Sequence, residues 1–104
     1  MASYNKAIRD KIPEIIEKSG SKSNIESLPD SEFLSVMEKK LDEEVAEYHQ
    51  TKSVEEIADI MEVIERIAEL RGVSVEELNK IKNEKAKMRG KFEKNLFLID
   101  TDKC

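Results

Sequence analysis

Tryptophan is absent from this chain, and cysteine occurs once, at Cys104. A lone cysteine cannot form an internal disulfide, which fits a reducing compartment. Glycine and proline are scarce, at three and two residues. Few turn-forming residues mean few, long elements, which predicts a mainly helical protein. No apolar run approaches the roughly 20 residues needed to span a bilayer. The opening MASYNKAIRDK lacks the apolar segment of a secretory signal. A cytoplasmic location with no membrane partner is therefore expected. There is no excess of basic residues either: net charge is −5. That argues against a nucleic-acid polymer as partner, which needs Lys and Arg gathered on one face.

What is present is charge. Charged residues make up 39% of the chain and hydrophobic residues 38%, apolar-poor against ordinary globular usage. At 104 residues the chain is expected to form one domain over positions 1–104. A chain of this size buries only roughly 60–68% of its unfolded surface. A modest core is expected, supplemented by assembly into a homodimer or higher homo-oligomer.

Residues 1–11 show no clear period. Ile12–Glu17 reads as a short helix, with Pro13 in its first turn, Glu14 at its positive end and Gly20 after it. SGSKSNIESLP over 19–29 is a polar loop. Asp30 or Ser31 can cap a second helix running to about His49, with Leu34, Met37, Leu41, Val45 and Tyr48 at helical spacing. Ser53 opens a third as a capping box with Glu56, and Ile57, Ile60, Met61, Ile64, Ile67 and Ala68 share one side before Gly72. Ser74 and Glu77 open a fourth in the same way, continued by Leu78, Ile81 and Met88 towards Gly90. The tail holds the apolar run Leu96–Ile99, a short strand or an extended cover. The expected fold is all-α and four-helix bundle-like.

Two acidic pairs stand at three-residue spacing, Glu44 with Glu47 and Glu56 with Asp59. Residues three apart are neighbours on a helix surface. Two helices folded back on each other can therefore gather four carboxylates, which suits a hard cation such as Mg²⁺. With Leu41 as reference, Glu44 lies about 60° from the apolar line and Glu47 about twice as far. With Ile57 as reference, Glu56 lies about 100° and Asp59 about 160° to one side, with Val63 between them. On the fourth helix Lys82, Lys85 and Arg89 fall within about 40° of the Leu78 line, an inward placement that fits an anionic ligand.

Each feature also has a plainer explanation. Glu44 and Glu47 fit a solvated helix face, and Glu56 fits a helix cap. Lys82, Lys85 and Arg89 fit snorkelling or interhelical ion pairs. His49 fits a cation at a helix C-terminus. The two capping boxes act as an internal control. Only the first continues to an acid, Asp59, where the second has Lys80. Capping accounts for Glu56 but not for Asp59.

Three motifs in order resemble the all-α nucleoside triphosphate pyrophosphohydrolases of the MazG and phosphoribosyl-ATP pyrophosphatase-like superfamily. E-E-x-x-E stands here as Glu43-Glu44-Val45-Ala46-Glu47, and E-x-x-D as Glu56-Ile57-Ala58-Asp59. The opening Asn5–Pro13 is similar to the N-K-x-V-R-D-K-I-P start of a small single-domain branch. Lys85–Phe92 is similar to its K-x-x-x-R-G-G-F, with Lys91 in place of the second glycine. The linker Tyr48–Glu55 is shorter than in many members. The resemblance implies a MazG-type fold and Mg²⁺-dependent cleavage, with Mn²⁺ as a possible substitute, between the α- and β-phosphates of a nucleotide. It implies Glu44, Glu47, Glu56 and Asp59 as metal ligands, with Glu44, Glu47 and Asp59 serving catalysis. Lys85, Arg89, Arg9 and Lys11 would meet the substrate phosphates, and sites would lie near subunit contacts. The competing readings are a non-catalytic helical interaction module and a relative that binds nucleotide without cleaving it.

Overall fold

The computed structural model describes residues 4–102, so Cys104 lies outside the described residues. They form four helices: α1 (Ile12–Lys18), α2 (Asp30–Thr51), α3 (Val54–Leu70) and α4 (Val75–Arg89). No strand occurs among them, and the run Leu96–Ile99 has no regular secondary structure. The class is all-α, as the scarcity of turn residues predicted.

The element starts follow local chemistry. Ser53 and Ser74 both cap as expected, their hydroxyls accepting from the Glu56 and Glu77 amides at 3.2 and 3.1 Å. At α2 the expectation of a side-chain cap fails. Pro29 takes the N-cap position, no side-chain cap bond forms, and Asp30 and Ser31 sit inside the helix. The helix also outruns His49 to Thr51. It stops because Lys52 takes the left-handed conformation at φ 54°, its amide donating to the Tyr48 carbonyl at 2.7 Å. Lys52 and Ser53 alone then connect α2 to α3, which makes a tight helical hairpin.

That hairpin holds the core. Ala7, Met37 and Val63 are buried, with Phe33, Val36, Leu41, Ile67 and Leu70 packed around them. Val63, at 4% exposure, is the most enclosed of the core residues. Its burial shows that α3 is rotated from the orientation its apolar stripe suggested. Val63 lies about 120° from Ile57 around the helix, with Glu56 and Asp59 within about 40° of Val63. The face turned to α2 is therefore the one that carries the acids. Ile57, Met61 and Ile64, expected to be core, remain 41%, 57% and 40% exposed. α2 is turned in the same sense, towards Met37 and Glu44 and away from Val45.

α4 packs only against α3 and has no buried residue. Ile81 and Met88 are exposed, and so are Phe92 and Leu96–Ile99 beyond the helix. The molecule is a hairpin with a projecting arm, 62 × 32 × 25 Å in extent.

Candidate functional site

The hairpin sets Glu44 on α2 against Glu56 and Asp59 on α3. One carboxylate oxygen from each lies within 4.8 Å of the others. Glu44 is only 9% exposed, among the core residues rather than on a solvated face. Two buried oxygens, Glu44 Oε2 and Glu56 Oε2, have no hydrogen-bond partner. An unpaired buried carboxylate oxygen is costly, so the protein retains these acids against its own stability.

The two capping boxes separate a cap from a site. At the start of α4 the Glu77 carboxylate folds back, within 3.4 Å of the Ser74 hydroxyl. At the start of α3 the Glu56 carboxylate does not. The Ser53 amide is met instead by Thr51 Oγ1 at 3.3 Å. Glu56 gives its backbone amide to the cap and turns its side chain towards Glu44 and Asp59.

This crowding moves the Glu56 pKa up to about 7. The largest cause is the hydrogen bond that a protonated carboxyl makes with Glu44 and that the two ionised carboxylates lack, followed by desolvation and the charges of Glu47, Glu44 and Asp59. Two carboxyl groups can share a hydrogen bond only when one holds a proton. Near neutral pH the cluster is therefore poised between holding a proton and holding a cation.

The residues named from sequence divide between cluster and periphery. Glu47 is exposed and lies outside the three-acid group, although its charge acts on Glu56. Arg9 reaches the site: its Nη2 stands 2.7 Å from Asp59 Oδ1 and its Nη1 3.8 Å from Glu62. The burial of Ala7 anchors the N-terminal segment that carries it. Lys11 is exposed at the N-cap of α1. Lys82, Lys85 and Arg89 are exposed on α4, and within this chain no ion pair among the described residues joins them to an acid. Lys40, not singled out from the sequence, is the second cation at the cluster, 3.5 Å from Glu44 Oε1. Its signal was the i,i+4 spacing to Glu44, a pairing so common on helices that it points to no site.

Arg9, Lys40, Glu44 and Asp59 line one open groove of ≈ 860 Å³, floored by Ala7, Met37 and Val63. A groove with acids for a cation and two adjacent cations for an anion can hold a metal–phosphate pair. The three carboxylates are the oxygen donors that a hard cation takes. Among three octahedral ligands at most one pair stands opposite, roughly 4.2 Å apart, and the others stand roughly 2.9 Å apart, so the carboxylates would draw together around an ion.

Comparison with known proteins adds little about chemistry. No family model matches the chain, and no solved structure matches it. Over 40 residues it is 50% identical to an uncharacterized protein of Mycolicibacterium smegmatis. The match covers 38% of this chain and 41% of that protein.

Proposed function

We propose that the protein is a Mg²⁺-dependent nucleoside triphosphate pyrophosphohydrolase, releasing a monophosphate and pyrophosphate. The observation that carries this reading is the Glu44–Glu56–Asp59 cluster, with Glu44 buried and two unpartnered carboxylate oxygens, whose Glu44 and Asp59 line a groove that also holds Arg9 and Lys40. The order of the three sequence motifs supports the same class. Glu44, Glu56 and Asp59 would hold the metal, with Glu47 at the rim. Bound Mg²⁺ would neutralise phosphate oxygens and ease deprotonation of water. Without a cation Glu56 titrates near neutral pH, so metal binding there would displace its proton. Arg9 and Lys40 offset charge on the phosphate chain. Lys85 and Arg89 are candidates for the same task only where another copy brings them in, and self-association belongs to this reading.

Two observations together favour a non-catalytic interaction module as the second reading. Arg9 and Lys40 already partner the acids, and apolar side chains stand exposed on α3 and α4. One pair of measurements separates the readings. Mg²⁺ or Mn²⁺ should raise the Tm of the wild type, and Glu44→Gln or Asp59→Asn should abolish the rise. Incubation with Mg²⁺ and a nucleotide panel should yield pyrophosphate. Absence of both responses, with helicity intact, would leave the interaction module as the better account.

A further inference from the structure

The strongest signal outside the site is surface. The chain exposes 9761 Å², whereas a globular monomer of 12.0 kDa is expected to expose about 6,000 Å². Its radius of gyration is 18.4 Å, against about 13 Å for a compact chain of this length. The excess of about 3,800 Å² is several times the roughly 800 Å² that each partner buries in a standard interface.

Exposed apolar side chains gather in two complementary places. One is the stripe Val54, Ile57, Met61 and Ile64 on α3, turned away from α2. These positions recur at helical spacing and extend about 15 Å along the helix. The other is the arm. α4 leaves Ile81 and Met88 uncovered, and the tail beyond Gly90 leaves Phe92 and Leu96–Ile99 78–97% exposed. Leu96–Ile99 in extended form spans about 13 Å, close to the length of the stripe. Each chain thus carries an uncovered apolar helix face and an arm that touches α3 yet leaves its own apolar side chains uncovered.

We infer that two copies of this chain exchange arms: α4 and the tail of each copy pack on the Val54–Ile64 face of the other. The occupant is a second copy because one chain supplies both halves, and reciprocal exchange closes the contact within a dimer. Self-association is already part of the proposed function; what is added here is the surface and the segment that cover each other. The inference does not depend on the chemistry, and mass, not activity, is its readout.

The test is sedimentation equilibrium of the full chain and three variants, with helicity followed by circular dichroism. Met61→Glu and Leu98→Glu alter side chains exposed in the single chain and leave Ala7, Met37 and Val63 untouched. Lys22→Glu, in the loop before α2, is the surface control. The wild type and the control should be dimeric at micromolar concentration, and each apolar-to-acid variant should dissociate at least tenfold more readily. A wild type that stays monomeric at tens of micromolar overturns self-association altogether. A dimer that either apolar variant leaves unchanged overturns the arm exchange while preserving the dimer.

Discussion

At the residue scale the decisive side chains are Glu44, buried beside the core, and Glu56, whose ionisation its hydrogen bond to Glu44, desolvation and neighbouring like charges oppose. Glu56 keeps its proton up to about pH 7 in the folded chain, whereas its ordinary pKa is 4.5. Between those values the folded state binds more protons than the unfolded state. Stability therefore falls as pH rises through this window, and the whole cost is present above it. Glu56→Gln should raise the urea midpoint at pH 8 and leave it nearly unchanged at pH 4, and paired denaturation curves at the two pH values check this. Under the proposed function, metal binding runs the other way: it needs the carboxylate, so Mn²⁺ affinity measured by calorimetry should rise from pH 5.5 to 7.5 with proton release. Met37 belongs to the apolar side of the same wall. Met37→Ala should cost about 2 kcal/mol, near the lower end for such truncations because its surroundings are half-exposed and can relax. The unfolding free energy reports it directly.

At the element scale the hairpin turn positions the acids. Lys52 holds a left-handed backbone that costs a non-glycine residue roughly 1–2 kcal/mol. Its Nζ lies 5.4 Å from the Tyr48 ring centroid, an exposed cation–π contact worth about 0.5–1 kcal/mol. Lys52→Gly relieves the first term and loses the second, so a net gain of about 0.5 kcal/mol is expected in urea denaturation. The Ser53 cap is the opposite case, and Ser53→Ala should cost about 1 kcal/mol. The capping boxes made the starts of α3 and α4 legible, because a cap is local chemistry. The rotation of α3 was not legible. Its apolar residues spread from Val54 through Ile57 and Val63 to Leu70 around much of the circumference. A stripe that wide has no single inward direction until a neighbour selects one. The Ile57 line looked like the core, and Val63 became it.

At the scale of the whole molecule, one hairpin with a small core carries an arm that packs only against α3 and buries none of its residues. Stability should therefore depend on concentration: Tm should rise between about 5 and 200 µM, as it does for any protein whose folded form is an assembly. Calorimetry at the two concentrations measures it. Hydrogen exchange at low concentration should show α2 and α3 protected and α4 opening first, since α4 has no buried residue.

The acids at 44, 47, 56 and 59, the four helices and the two serine caps were determined by the sequence alone. Each depends on spacing or on bonds between residues a few positions apart, which the chain carries in any environment. Which acids meet was decided only by tertiary structure. The hairpin turned α3 so that Glu56 left its cap for Glu44, excluded Glu47 from the closest group, and brought Arg9 from 50 positions away to Asp59. Lys85 and Arg89, which the motifs assigned to the substrate, stayed out on the arm. Packing sets the rotation of a helix and the company of a side chain, and packing is a property of the neighbours, not of the spacing.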